Sequence, residues 1–170
     1  DGNDSLTGGT GDDQLYGGIG TDTLQGDVGN DLLSGGEGDD SILAGDGNDT
    51  ISGDLGADTI AAGQGMDWVD YSGSTSGVTV DLSAGSAAGG YADGDVLTGV
   101  DALLGSAYDD VLLGTSAADT LTGGGGNDVL GGRGGADQLL GGAGFDTADY
   151  SDAGSAIAVS LASNSGTLGD

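Results

Sequence analysis

Gly8-Gly9-Thr10-Gly11-Asp12-Asp13-Gln14-Leu15-Tyr16 runs without a break into Gly17-Gly18-Ile19-Gly20-Thr21-Asp22-Thr23-Leu24-Gln25. Both stretches carry glycine at the first, second and fourth places, aspartate at the sixth and leucine at the eighth. The same phase extends over residues 1–69, with a glycine column of Gly2, Gly11, Gly20, Gly29, Gly38, Gly47, Gly56 and Gly65. An aspartate column follows at Asp4, Asp13, Asp22, Asp31, Asp40, Asp49, Asp58 and Asp67. An aliphatic column follows that, at Leu6, Leu15, Leu24, Leu33, Ile42, Ile51, Ile60 and Val69. Self-similarity at a fixed period marks a repeat architecture and frames every other reading.

Each unit predicts one turn and one strand. Glycine permits the positive φ that a tight turn needs, so the first six residues curl and aim several carbonyls at one spot. In the next three, the aliphatic side chain points one way and its neighbours the other, as on a strand. Two units make a coil of 18 residues. Leu6, Leu24, Ile42 and Ile60 then stack as one inner ladder, with Leu15, Leu33, Ile51 and Val69 as the facing one. The predicted fold is all-β: a parallel β-roll, a form of β-solenoid, whose turns rise about 4.8 Å each.

Composition bears on what holds such a roll together. The 170-residue chain has 41 Gly, no Pro, no Cys, no His, a single basic residue, Arg133, and a net charge of −28 that is almost entirely aspartate. Charge of that sign excludes nucleic acid and an anionic membrane surface as partners, since both need basic patches. No stretch approaches a membrane span, and without cysteine there are no disulfide staples. One aliphatic ladder residue per unit is a thin core against the entropy of ordering a glycine-rich chain. Bare aspartates stacked about 5 Å apart would also repel one another. A cation is therefore expected to be part of the fold, and the metal-free chain is expected to be disordered. Zinc and copper would call for His or Cys. Calcium takes about six to eight oxygens with tolerant geometry, whereas magnesium demands a tighter octahedron.

The unit G-G-x-G-x-D-x-U-x resembles the calcium-binding nonapeptide of the RTX (repeats-in-toxin) family of secreted bacterial proteins, and it covers well over half of the chain. The resemblance implies ions between turns, held by aspartates of loops 18 residues apart together with loop carbonyls. By position the pairs are Asp4 with Asp22, Asp13 with Asp31, Asp22 with Asp40, Asp31 with Asp49, Asp40 with Asp58, and Asp49 with Asp67. The residue before the aspartate (Asn3, Asp12, Asn30, Asp39, Asn48, and later Asn127) adds an oxygen or supports the turn. Thr21, Ala57 and Met66 lose that helper, which predicts weaker loops; Asp27 and Asp54 replace the second glycine and are expected to strain the turn or add charge to it.

The frame stops at Asp70, which divides the chain into a first repeat block at 1–69, a β excursion at 70–104, a second block at 105–148 and the start of a second excursion at 149–170. In the first excursion Val78, Val80 and Leu82 alternate with polar residues as on a half-buried strand, residues 83–90 read as a loop, and residues 96–104 are apolar again. The second block carries Asp110, Asp119, Asp128, Asp137 and Asp146, with Leu112, Leu121, Leu130 and Leu139 as its aliphatics. Tyr108 and Ala117 stand where its fourth glycine belongs, which weakens the metal expectation for those two loops. Val69-Asp70-Tyr71-Ser72 returns as Ala148-Asp149-Tyr150-Ser151, and Val78, Val80 and Leu82 as Ile157, Val159 and Leu161, all offset by 79. The chain thus reads as a window on a longer array. Nine aspartate pairs over the two blocks predict about nine calcium ions or more, which offset much of the charge.

Catalytic chemistry finds no support. His, Cys and Lys are absent, no serine sits in a nucleophile elbow, and the in-phase carboxylates are committed to metal. Trp68, Tyr71, Tyr108, Phe145 and Tyr150 lie where nonapeptides end and are expected to cover the ends of the roll. The expected function is a non-enzymatic, calcium-dependent structural segment of a secreted or cell-surface protein: a stalk, fibre, adhesin or surface-layer array, with copies of itself as partners. The alternative is the calcium-binding tail of a type I-secreted enzyme. A third reading, a polysaccharide-binding module, would need an exposed aromatic row. The resemblance further implies a Gram-negative bacterium, type I export and folding on meeting extracellular calcium. Falling pH is expected to loosen the calcium-loaded chain, because protonated aspartates release metal.

Overall fold

A computed structural model describes residues 1–152, so Ile157, Val159 and Leu161 lie outside the described residues. The first block forms β1 (Ser5–Thr10), β2 (Gln14–Ile19), β3 (Thr23–Val28), β4 (Leu32–Glu37), β5 (Ser41–Asp46), β6 (Thr50–Leu55), β7 (Thr59–Gln64) and β8 (Trp68–Asp70). The excursion contributes β9 (Thr79–Asp81), β10 (Ser86–Ala88), a 3₁₀ turn (Gly90–Ala92), β11 (Val96–Thr98) and β12 (Ala102–Leu104). The second block supplies β13 (Val111–Leu113), β14 (Thr120–Gly125), β15 (Val129–Gly131), β16 (Gln138–Ala143) and β17 (Thr147–Ala148).

These strands make two facing sheets. Sheet A runs β1-β3-β5-β7-β11-β10-β9-β13-β15-β17, and sheet B runs β16-β14-β12-β8-β6-β4-β2. Parallel pairing at an 18-residue offset stacks Leu6, Leu24, Ile42 and Ile60 in sheet A, and Leu15, Leu33, Ile51 and Val69 in sheet B. The two aliphatic ladders face each other as the core; Leu24, Leu33, Ile51 and Ile60 are wholly buried. The nonapeptide roll predicted from the period is the fold.

Strands and turns divide the unit differently from the expectation. Strands β1 to β7 run six residues and take in the first two places of the following unit, which leaves three-residue turns such as residues 11–13. The ladder continues because glycine lets consecutive coils approach closely. At Gly47, with φ +145°, a Cβ would lie 1.8 Å from the Gly29 carbonyl oxygen. Asp27 and Asp54, at the second glycine's place, hold φ of 75° and 69°, strained as expected for non-glycine residues. Ser34 and Ser52 hydroxyls donate to the Asp54 carboxylate at 2.7 and 2.8 Å.

In the excursion the chain runs ahead to β9, turns back through antiparallel β10, and rejoins the roll at β11, beside β7. Sheet A therefore gains three strands between β7 and β13, while sheet B passes directly from β8 through β12 to β14. β10 falls inside the stretch expected to be a loop; its Ser-Ala-Ala sequence has neither β-branched residues nor alternation to signal a strand. Because sheet B continues past β8, there is no roll end there to cover. Tyr71 enters the core instead, 1% exposed, while Tyr108 and Phe145 stay exposed.

Arg133 also finds a role that its isolation in the sequence concealed. Its guanidinium pairs bidentately with Asp81, both Nη–Oδ distances being 2.7 Å, and donates to the Gly114 carbonyl at 2.8 Å. It ties β9 to the second block while holding a φ of 64°. With both partners about a quarter exposed (24% and 27%), the pair is a modest staple. Arg133→Ala loses the pair and keeps the strained φ, so it should lower stability by about 1 kcal/mol; Arg133→Gly, which relieves the φ, should lose less. In the core, Ile51→Ala should cost about 2–5 kcal/mol, whereas Tyr16→Ala, at an exposed site, should change stability by no more than about 0.5 kcal/mol. Denaturant unfolding in excess calcium measures all four.

Candidate calcium sites

Each in-phase aspartate sits where a turn gives way to the next strand: Asp13 precedes β2, Asp22 precedes β3, and so on along the block. Its backbone N–H donates to Oδ1 of the aspartate one coil later. In the first block the pairs Asp4–Asp22, Asp13–Asp31, Asp22–Asp40, Asp31–Asp49, Asp40–Asp58 and Asp49–Asp67 close at 2.7–2.9 Å. In the second, Asp110–Asp128 closes at 2.9 Å, and Asp119–Asp137 and Asp128–Asp146 at 3.1 Å. The expected pairs are thus neighbours. Asp22, Asp31, Asp40, Asp49, Asp58, Asp67, Asp110, Asp119 and Asp128 are at most 3% exposed, while Asp4 and Asp146, near the ends of their columns, are exposed.

The residues before the aspartates build a second ladder in the opposite sense. Side-chain Oδ1 of Asn3, Asp12, Asn30, Asp39 and Asn48 accepts the N–H of Thr21, Asn30, Asn48, Ala57 and Met66 in turn, at 2.8–3.1 Å. Asp109, which sequence reasoning passed over, accepts from Asn127, and Asn127 from Phe145. In every one of these contacts the oxygen stitches turn to turn.

Two further carboxylates join the aspartate columns from the excursion. The Asp58 N–H donates to Asp95 Oδ1 at 2.9 Å, and the Asp67 N–H to Asp101 Oδ2 at 3.2 Å. They stand 37 and 34 residues on, out of the nine-residue phase, which is why the columns did not reveal them. The available signal was an aspartate placed directly before a short apolar strand, as in Asp95-Val96-Leu97 and Asp101-Ala102-Leu103.

The second carboxylate oxygen separates two kinds of loop. Oδ2 of Asp13, Asp22, Asp31, Asp40, Asp49, Asp58, Asp67 and Asp128 is buried without a hydrogen-bond partner. Such a group is costly to leave unsatisfied. At Asp110 and Asp119 the protein itself supplies donors: Ser106 N–H reaches Asp110 Oδ2 at 2.6 Å and its hydroxyl reaches Oδ1 at 2.9 Å. Thr115 N–H likewise reaches Asp119 Oδ2 at 2.6 Å. Both hydroxyl residues stand at the second place of the unit, where the other loops have glycine or a positive-φ residue.

The orphaned oxygens fit a hard cation. The point where a Cβ on Gly17 would lie is 2.4 Å from Asp22 Oδ2 and 2.5 Å from the Gly35 carbonyl oxygen, and around Gly26 it is 2.4 Å from Asp31 Oδ2 and 2.5 Å from the Ala44 carbonyl. The first glycine thus keeps a space between a carboxylate oxygen and a main-chain oxygen of the next coil. Ala44 and Ala62 put a buried methyl group at the equivalent place. Among the described residues no three carboxylates converge on a point, so each site would pair carboxylates two at a time with main-chain oxygens. An all-oxygen donor set of this kind suits calcium.

Burial shifts the bare carboxylates upward. Desolvation, offset by the N–H of Asp40 and reinforced by the Asp95 and Asp40 charges, pushes Asp58 up to about 7; desolvation and neighbouring aspartates push Asp128 to about 6. Asp40, Asp49, Asp67, Asp95 and Asp119 are raised for the same leading reason. A raised folded-state pKa contributes stability that is fully present below the unfolded carboxylate range and lost as pH rises through the folded value. In chelator, the β signal in far-UV circular dichroism should therefore grow as pH falls from 8 towards 4, with the change centred near 6–7 for Asp128 and Asp58. In calcium the sign reverses, because protons compete with the ion for the same oxygens. Acid-induced loss of β signal in chelator would contradict this account.

The RTX calcium-binding nonapeptide repeat matches the chain in four copies, over residues 1–33, 34–69, 90–130 and 113–148. No curated protein matches the chain. The family match spans well over half of the 170 residues, and both excursion carboxylates fall inside its third copy. With the period, the paired aspartates and the parallel roll all in agreement, the chain belongs to the RTX calcium-binding nonapeptide repeat family and is a calcium-binding structural repeat segment.

Proposed function

We propose that calcium bound between coils is what makes this segment a rigid element, and that it serves as a stalk, fibre, adhesin or surface-layer portion of a secreted or cell-surface bacterial protein. The observation that carries the reading is the row of buried, unpartnered Oδ2 atoms, with a carbonyl oxygen of the next coil beside Asp13, Asp22, Asp31 and Asp128. Six of the nine nonapeptide pairs have such an oxygen on the earlier member: Asp13–Asp31, Asp22–Asp40, Asp31–Asp49, Asp40–Asp58, Asp49–Asp67 and Asp128–Asp146. Each of the five whose unit opens with glycine takes one ion; before Asp49 the Ala44 methyl group fills that space. Asp110–Asp128 and Asp119–Asp137 take none, since Ser106 and Thr115 already satisfy the earlier carboxylate.

The mechanism is charge neutralisation coupled to folding. Two carboxylates and main-chain oxygens close on a dication, and the binding free energy becomes folding free energy. Bacterial secretion, typical of the family, suits this coupling: the chain stays unfolded where calcium is scarce and folds where it is abundant. The roll is a structural repeat rather than a catalytic fold.

Calcium titration of the chelated chain at pH 7.5, followed by far-UV circular dichroism, is expected to show a cooperative coil-to-β transition that magnesium does not reproduce. A β spectrum already complete in chelator, or one produced equally by magnesium, would overturn the reading.

A further inference from the structure

We propose that Asp95 completes a calcium site with Asp58, from outside the nonapeptide phase, and that Tyr71 ends the ion column there. The inference rests on the calcium reading of the regular loops and adds a site that no nonapeptide pair provides. Asp58 is fully buried, and its Oδ2 has no partner; it lies over Gly53, where a Cβ would be 2.1 Å away. Loop 53–58 therefore has the same open carboxylate as loops 17–22 and 35–40 beneath it on this edge of the roll. What it lacks is an aspartate 18 residues later.

The excursion supplies one. Asp95, 2% exposed, accepts the Asp58 N–H on Oδ1 at 2.9 Å, the contact that joins every regular pair. The turn carrying Asp95 settles onto the loop below: the 3₁₀ turn packs on β6, and Gly94 lies over Ala57, whose Cβ would be 2.9 Å from a Cβ on the glycine. The lone pair of Asp95 Oδ1 not used by the N–H is available to a cation beside Asp58 Oδ2.

The far side of Asp95 differs. Oδ2 of a regular in-column aspartate is left open for the ion of the next site, but Asp95 Oδ2 accepts the hydroxyl of buried Tyr71 at 2.8 Å. A neutral donor closes the carboxylate where the next dication would sit. Asp95 thus takes an ion below and none above.

Calcium bound to the full 170-residue chain, counted by native mass spectrometry, provides the test. Asp95→Asn should lose one ion relative to wild type, and Asp31→Asn, which interrupts two regular pairs, should lose two. Should Asp31→Asn lose none, the calcium reading of the repeats fails; should it lose ions while Asp95→Asn keeps the full count, the proposal made here fails. A second measurement needs no substitution. Calcium anomalous scattering from wild-type crystals should place a peak between Asp58 and Asp95 and none between Asp95 and Tyr71, and the reverse pattern would overturn the assignment.

Discussion

Every coil of this roll sets one carboxylate above another at the spacing of paired strands, about 4.8 Å, inside the roughly 8 Å over which physiological salt screens charge. The backbone solves half of that problem. In the nine regular pairs the aspartate N–H donates to Oδ1 of the next aspartate in its column, so one oxygen is held and aimed by the same hydrogen bond from coil to coil. The other oxygen is left buried and bare. Neither the thin aliphatic core nor the glycine-rich backbone brings a donor to these oxygens, which leaves them open to a hard cation.

Where the repeat gives way, the chain answers the same electrostatic problem with its own atoms. Ser106 and Thr115 turn back onto Asp110 and Asp119, Tyr71 reaches Asp95, and Arg133 grips Asp81. The guanidinium, with help from Ser83 and the Ala84 N–H, holds the Asp81 carboxyl well below the usual carboxylate range, opposite to the upward shift of the buried column. These contacts gather around the excursion, where sheet A takes in β9, β10 and β11 and the regular alternation of coils is interrupted. A stretch held by protein donors thus separates the open carboxylates of the first block from that of Asp128 in the second.

Several features were legible because they repeat. Register, ladder partners and the aspartate pairs all follow from a period of nine, since a side chain that recurs at a fixed interval in a solenoid must stack on itself. Features tied to one contact left no periodic mark. The repeat predicts positive φ at the first glycine, yet Gly17, Gly26 and Gly35 do not adopt it and serve as space beside a carboxylate oxygen. Asn30 and Asn48, expected to add an oxygen or to support the turn, each accept an N–H of the next coil on Oδ1, and that contact ties turn to turn.

By itself the sequence determined the repeat: the coil length, the facing ladders of Leu24 and Leu33, the acidic columns, and a charge that demands cations. Only the tertiary structure decided how the columns cross the interruption. Asp95 and Asp101 stand 37 and 34 residues from their partners, and those separations depend on how β9, β10 and β11 fold back before rejoining the roll. It also decided that the Asp95 carboxylate is closed on one side, since the Tyr71 hydroxyl, 24 residues away in the chain, reaches its Oδ2 only where the fold brings the two together. A period is a property of the chain taken one unit at a time; satisfying a buried oxygen is a property of whatever the fold brings beside it.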